Sequence, residues 1–435
     1  MADQQKRRPG GLKRTHGATA STAEKAESSA TPQTKQSRIV TEAEKESSQM
    51  SIPLELPEGA DDLEELRHIY DAAFATLKTD SEHATVLFRG VIHECDRLLR
   101  LQAEQTPPST PGLPPAFYWI YGMALFCLSE LTEDQDALGF LELAEEHFNH
   151  GLELIDSASP STRAKYDEVG ERLQLTDIQS RLTLACAKTR ISQARILATQ
   201  DMVKSAKTRR WLMSAAVEGF NKLIDHARQQ GSEEMRLAGI PWLIQKMELI
   251  QSYAELLRDQ AEVDDLLQPG VEQLKKVLSD NSDNPKLWNS LGLSYWSLAR
   301  FYLDQAEDVE DDEEKENDTK HQELLEKAKP YLAQCFEALQ KSEQLFADGN
   351  PELSLLLLTL GEVSINLGNC LEDGEDREEE DQEPEQRLCG LTQTELYQRA
   401  VDSFKKARQV GGDDYMLPEH FEVFLQDWEQ EMHDD

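Results

Sequence analysis

The feature that most constrains the fold is the segment 284–296, NPKLWNSLGLSYW. Within it, Trp288, Leu291, Gly292 and Tyr295 follow the spacing Trp-x2-Leu-Gly-x2-Tyr, which is the first-helix half of a tetratricopeptide repeat (TPR). On a helix the three large side chains share one face, and the small glycine lets a second helix approach closely. The spacing predicts helical hairpins, and it does not indicate what they bind.

The same pattern recurs along the chain. A related first-helix spacing is Tyr118-x2-Tyr121-Gly122, and Leu367-Gly368-x2-Leu371 ends the first helix of another hairpin. Second-helix patterns of small and aromatic residues are Ala144-x3-Phe148, Ala216-x3-Phe220 and Ala400-x3-Phe404-x2-Ala407. We therefore predict an all-α, TPR-like helical-repeat solenoid. Its structural repeat-signature residues are Trp288, Leu291, Gly292, Tyr295, Ala400, Phe404 and Ala407.

Element boundaries follow from apolar periodicity and prolines. Residues 163–230 predict two long helices, and Pro241 and Pro269 are expected in the first turns of later helices. The segment Pro418 to Trp428 predicts a terminal helix that caps the solenoid or docks back on it.

Two acidic segments, Asp304 to Lys320 and Glu372 to Glu385, interrupt the helical pattern. Like-charge runs stay extended and solvated, so we expect them to be loops inserted between the helices of repeats. They are equally consistent with a binding surface for a basic partner and with solubilising insertions of little energetic cost.

The chain of 435 residues has 83 acidic and 45 basic residues, a formal net charge of −38. Such a charge repels phosphate backbones, so we expect basic protein partners and no direct binding of nucleic acid. Six scattered cysteines without a C-x-x-C pair indicate reduced thiols in a cytosolic or nuclear protein. No apolar run approaches the roughly 20 residues that cross a membrane, and no secretory signal is recognisable.

Residues 1–53 are poor in large apolar side chains and are expected to be a disordered tail before a repeat domain at 54–435. The tail carries a basic cluster on an otherwise acidic chain: Lys6, Arg7, Arg8, Lys13 and Arg14. Its sign favours a nuclear-import signal, read by an import receptor, over an ordinary solvated tail.

No nucleotide-binding loop, nucleophile elbow or zinc-protease motif is present, so we expect no enzyme activity, no cofactor and no small-molecule substrate. His147 and His150 lie three residues apart beside glutamates, but Phe148 between them favours a structural helix over a metal site. A basic island at Lys204, Lys207, Arg209 and Arg210 is interpreted as solvated charges flanking a helix. Some TPR proteins clamp the C-terminal carboxylate of a partner with a lysine just after the aromatic position and an asparagine further along. That activity is not indicated here, because Asn289 and Leu293 occupy these two positions.

The basic head from Lys6 to Arg14, the degenerate repeats and the acidic segments together resemble the fungal enhancer-of-translation-termination family, over essentially the whole chain. In that family the fission-yeast member is a negative regulator of a prolyl-hydroxylase-like oxygenase. The resemblance implies a nuclear scaffold without catalysis of its own. It also implies roles in correct translation termination and in hypoxic gene expression.

The mechanism implied by the resemblance is binding of a nuclear 2-oxoglutarate- and iron-dependent oxygenase, with ribosomal or termination-linked proteins as further partners. The alternative is an acidic chaperone or nuclear-import adaptor for basic proteins such as ribosomal proteins or histones. Binding that weakens steeply as salt rises would favour this alternative over the oxygenase-binding scaffold. The sequence does not identify the repeat face that carries the partner, nor the oligomeric state.

Overall fold

The computed structural model describes residues 59–104, 112–229, 233–310, 316–347, 349–371, 387–412 and 415–434. These residues form fourteen helices, and their only extended pairing is an isolated bridge between Leu388 and Leu391. The predicted all-α helical-repeat fold is confirmed. The predicted tail, its boundary at residue 53 and the acidic segment Glu372 to Glu385 lie outside the described residues.

The helices are α1 Asp62–Thr76, α2 Ser81–Glu104, α3 Pro115–Glu130, α4 Asp134–Ser157, α5 Pro160–Arg172, α6 Ile178–Gln200, α7 Met202–Gln229, α8 Glu233–Ala254, α9 Gln260–Leu278, α10 Pro285–Glu310, α11 Glu316–Leu345, α12 Glu352–Asn369, α13 Gln393–Gly411 and α14 Glu419–Asp434. None of those helices is both long enough and apolar enough to cross a bilayer within the described residues.

The chain divides into two compact units, with the boundary between Gly270 and Val271. In the N-terminal unit the hairpins are α1/α2, α3/α4 and α6/α7; in the C-terminal unit they are α10/α11 and α12/α13. Helices contact mainly their neighbours in sequence, as expected when each repeat buries its apolar face on the next. All six cysteines are free thiols.

Close approach at a helical glycine closes three of the hairpins. A Cβ placed on the glycine would lie 2.3 to 2.6 Å from a side chain of the second helix, in the pairs Gly122 with Phe148, Gly292 with Leu339 and Gly361 with Phe404. Real Cβ atoms do not approach so closely, so each site requires glycine. The repeat spacing contains a glycine because a side chain of the second helix occupies the space that a Cβ would fill.

The prediction of two long helices over 163–230 is wrong, because three helices occupy this region. Helix α5 ends at a turn in which Gln174 and Asp177 adopt positive φ values of 56° and 52°. The Leu175 amide donates to the Gly170 carbonyl at 2.7 Å, which closes the helix end. Asp177 then caps α6 by accepting from the Ser180 amide.

The first acidic segment is also more helical than predicted, since α10 continues to Glu310 and α11 begins at Glu316. Ala306 and Val309 continue the apolar face of α10 and are buried together with Leu324. Packing of these side chains outweighs the repulsion between the neighbouring carboxylates. Only residues 311–315 of this segment lie outside the described part.

The prolines do not mark helix starts as predicted. Pro241 and Pro269 lie inside α8 and α9, nine or more residues into helices that begin at Glu233 and Gln260. Each proline removes one backbone hydrogen bond, so tertiary packing must hold these helices together. Gly270, directly after Pro269, lies against the Met247 side chain of α8.

Candidate protein-binding faces

The first-helix signature lies at the α10/α11 contact. Leu291 and Tyr295 are each 5% exposed, and Gly292 lies against Leu339. Trp288 is half-buried, and its indole Nε1 donates to the Ser282 carbonyl at 2.8 Å. Leu287 is the fully buried residue of this turn. Trp288 therefore ties the start of α10 to the preceding turn.

The second-helix signature on α13 is entirely internal, since Ala400, Phe404 and Ala407 are fully buried. The Phe404 ring stacks on Phe421 of α14, with ring centroids 4.4 Å apart. Helix α14 thus docks on α13, as predicted for the terminal segment. The import cluster of Lys6, Arg7, Arg8, Lys13 and Arg14 lies outside the described residues.

One stripe of α10 remains accessible. Asn289, Leu293, Trp296 and Arg300 are half-buried and follow one another at intervals of three or four residues, which places them on one helix face. The signature residues Leu291 and Tyr295, together with Leu298, occupy the buried faces. The accessible stripe mixes apolar, aromatic and polar groups, which is the composition of a protein-binding surface.

Asn289 has the most informative side chain of this stripe. Its carbonyl oxygen Oδ1 is inaccessible to solvent and accepts no hydrogen bond from the described residues. An unsatisfied buried acceptor costs about 1–3 kcal/mol, so native proteins rarely retain one without a reason.

A parallel stripe on α12 consists of Leu355, Leu358 and Glu362. Leu355, in the first turn of α12, is 67% exposed, which is unusual for a leucine on a packed helix. The Lys286 amine and the Glu352 carboxylate pair at 2.6 Å, so the first turns of α10 and α12 are adjacent. The two stripes begin side by side at this ion pair.

We call these residues the α10–α12 face: Asn289, Leu293, Trp296, Leu355, Leu358 and Glu362. Sequence reasoning missed this face, because periodicity distinguishes buried from unburied positions only approximately. The signal that could have found it is Leu355, an apolar residue off the buried stripe of α12.

In the N-terminal unit, buried amines hold helices together. Lys246 of α8 is 3% exposed, and its Nζ donates to Asn221 Oδ1 of α7 at 3.0 Å. Burial lowers the pKa of Lys246 to about 8. Burial also lowers the pKa of Lys188, although the nearby Glu130 and Glu248 carboxylates act in the opposite direction. These groups are enclosed by the fold and face neighbouring helices.

His147 and His150 pack on tyrosines of α3. The His147 ring stacks on Tyr121 at a centroid distance of 4.0 Å, and His150 meets Tyr118 edge-on at 4.5 Å. Burial lowers the pKa of His147 to about 4. Within the described residues, no group of three or more potential ligands could hold a metal ion. The pair contributes to the α3/α4 contact.

The interpretation of the basic island as solvated charges is wrong for Arg209, which is 2% exposed. Its guanidinium donates to Ser205 Oγ at 3.0 Å, to the Tyr253 hydroxyl at 2.6 Å and to the Met202 carbonyl at 2.9 Å. Arg209 therefore fastens the start of α7 to α8. Lys204, Lys207 and Arg210 are exposed.

Comparison with known proteins gives one family match. Residues 12–210 match the family model described as "Nuclear pore complex subunit Nro1". This description agrees with the nuclear location predicted from the sequence.

Curated fungal relatives carry the name "Enhancer of translation termination 1". The Candida albicans (strain SC5314) protein is 32% identical over 114 residues, 26% of this chain and 25% of that one. The Kluyveromyces lactis protein is 34% identical over 146 residues, 32% of each chain. The chain thus matches about a quarter to a third of the length of these relatives. The resemblance predicted from the sequence is confirmed for the matched part of the chain.

Two solved structures are also similar to this chain. One is described as "The hypoxic regulator of sterol synthesis Nro1 is a nuclear import adaptor"; it is 19% identical, with a TM-score of 0.35, over 85% of this chain and 93% of that one. The other is a circular tandem repeat protein, 14% identical with a TM-score of 0.34, over 85% and 74% of the two chains.

Proposed function

We propose, from the premise that this chain is a relative of the fungal enhancer-of-translation-termination and Nro1 proteins, that it is a non-enzymatic nuclear adaptor. It acts by protein–protein binding, and it is required for correct translation termination and for regulating hypoxic gene expression. Its partner is a prolyl-hydroxylase-like protein that uses 2-oxoglutarate and iron.

The observation that carries the binding role is the α10–α12 face. It combines an exposed leucine, Leu355, with the half-buried side chains of Asn289, Leu293 and Trp296. A partner that covers the exposed leucine gains apolar burial, and the half-buried side chains of the α10 stripe enlarge the contact. Such an interface depends on packing more than on long-range charge, so it persists at moderate salt.

The second candidate function is an acidic chaperone or import adaptor for basic proteins. The net charge of −38 favours it. In this case the acidic segments bind, and affinity falls steeply as salt rises. Deletion of Glu372 to Glu385 then abolishes binding, whereas an adaptor that uses the α10–α12 face retains it.

The test is a pull-down of tagged full-length chain from nuclear extract, washed at low and then at high salt and analysed by mass spectrometry. Leu355→Asp places a charge on the α10–α12 face. Val423→Asp is the matched control, because Val423 is also an exposed apolar residue, 47% exposed, on α14.

Retention of a 2-oxoglutarate oxygenase through the high-salt wash, lost with Leu355→Asp and kept with Val423→Asp, supports the adaptor. Ribosomal proteins or histones that wash away with salt and depend on the acidic segment support the chaperone. Retention of the oxygenase by both aspartate variants contradicts the assignment to the α10–α12 face.

A further inference from the structure

Helices α6 and α7 form a basic hairpin in a strongly acidic protein. Residues 178–229 contain ten lysines and arginines and three acidic residues, whereas the whole chain has a net charge of −38. At physiological ionic strength, charges farther apart than about 8 Å are largely screened. The positive charges of the hairpin therefore act only locally, and several of them pair with carboxylates of this chain.

An apolar and basic stripe runs along the exposed side of α7. Val203 is 85% exposed and Trp211 is 60% exposed, with the exposed Lys207 midway between them. Because these residues are four apart, they lie on one helix face over about 12 Å. We call Val203, Lys207 and Trp211 the α7 stripe. It ends toward Glu218, whose carboxylate pairs with Lys222 at 2.9 Å.

Trp211 is held in place from below. The Arg190 guanidinium of α6 lies 5.9 Å from the Trp211 ring centroid, and its Nε donates to Glu145 of α4 at 2.7 Å. This cation–π contact, supported by an ion pair, orients the indole while leaving most of it in solvent. An oriented, exposed tryptophan beside arginine is typical of the residues that dominate binding energy at interfaces.

Lys207, the one cation of the α7 stripe, lies where a positive charge does not stabilise α7. The first turn of α7 has no acidic residue, and Lys204 and Lys207 lie near its N-terminus. Positive charges at this end oppose the helix dipole and cost up to about 1 kcal/mol each. Lys204 pairs with Asp201 and Arg210 with Glu262, but Lys207 forms no ion pair with any described residue. Lys207 is thus available to an external anion.

We propose that the α7 stripe docks an acidic, amphipathic helical segment of a partner protein, with a carboxylate on Lys207 and large apolar side chains on Val203 and Trp211. The complementary segment carries Asp or Glu flanked by apolar residues one helical turn away on each side. The positive charge of Lys207 calls for an acidic partner. The two exposed apolar residues call for a partner helix that also has an apolar face.

A nucleic acid is the less favoured occupant. Nucleic-acid binding draws on several simultaneous phosphate contacts, whereas Lys204, Arg210 and Arg190 already pair with carboxylates of this chain. In this structure the anions that pair with these cations are carboxylates. A long polyanion would also extend beyond the hairpin onto acidic surface.

The test measures binding of fluorescent probes to the full-length chain by anisotropy. The first probe is a synthetic helical peptide in which glutamate is flanked by leucines four residues away on each side. The second has lysine in place of that glutamate, and the third is an oligouridine RNA. The variants are Lys207→Glu and Trp211→Ser. Their matched controls are Lys165→Glu on α5 and Phe74→Ser on α1, both at exposed residues.

We expect the glutamate peptide to bind, about tenfold or more weakly to Trp211→Ser and severalfold more weakly to Lys207→Glu, with both controls unchanged. Stronger binding of the lysine peptide, or RNA binding that depends on Lys207 and Trp211, would overturn the assignment to an acidic protein segment. Failure of the glutamate peptide to bind, or binding that both variants retain, would overturn the docking site itself.

Discussion

The glycine contact in the last hairpin leads to a quantitative prediction for Gly361→Ala. The added Cβ would lie 2.3 Å from Phe404 Cε1 and 2.7 Å from Cζ. The Phe404 ring is fully buried and stacked on Phe421, so it has no room to withdraw. Overpacking of this kind costs about 1–3 kcal/mol, and the better helix propensity of alanine returns only about 1 kcal/mol.

The matched control is Gly90→Ala in α2, where an added Cβ meets no atom within 4 Å. It should stabilise its helix by about 0.5–1 kcal/mol, because only the entropic cost of glycine is removed. Thermal unfolding, followed by far-UV circular dichroism, compares the melting temperatures of the two variants. In a unit of this size each kcal/mol shifts the melting temperature by roughly 2–4 °C.

A second change tests the cause of the loss. Phe404→Ala removes the ring that the added Cβ would meet, so Gly361→Ala should cost less in that background. A melting temperature for Gly361→Ala as high as that of Gly90→Ala would refute the reasoning that close approach at glycine closes the hairpins.

Two further predictions concern the N-terminal unit. Arg209→Lys keeps the charge but cannot reach all three acceptors, so we expect a loss of about 2–4 kcal/mol in urea unfolding. Arg210→Lys, at the exposed neighbour, is the control and should leave the unfolding midpoint nearly unchanged. His147, whose pKa falls to about 4 on folding, stays neutral in the folded state while the unfolded chain takes up a proton below its ordinary pKa of 6.5. Stability should therefore fall between pH 6.5 and 4, by roughly 3 kcal/mol in all, and His147→Gln should flatten that part of the urea stability profile. An unchanged pH profile in the variant would contradict this cause.

The sequence predicted helical hairpins because their signature is a steric requirement. Gly122 and Phe148, twenty-six residues apart, are placed together by the repeat spacing, and the structure brings them into contact. In the last hairpin the sequence did not determine which glycine contacts Phe404. The spacing suggested Gly368 as the glycine before Phe404, but Phe404 contacts Gly361, and Gly368 contacts Tyr397. The two glycines lie seven residues apart on one helix face, so periodicity alone cannot choose between them.

Predictions from charge were less reliable than predictions from the repeat spacing. Asp304 to Lys320 was predicted as an extended loop from composition, although Ala306 and Val309 keep the helical spacing that buries them. Arg209 was grouped with its solvated neighbours, because sequence does not show which member of a basic run points into the core. The α10–α12 face depends on which residues tertiary packing leaves uncovered, and this is absent from a single sequence.

The central claim is that the chain binds its partner through the α10–α12 face. Amide hydrogen exchange read by mass spectrometry, on the full-length chain alone and with the captured oxygenase, tests it most directly. The account predicts added protection in the helical segments that carry Asn289 to Trp296 and Leu355 to Glu362, with little change in α14. Protection confined to other helices, with these two segments exchanging as in the free chain, would contradict it.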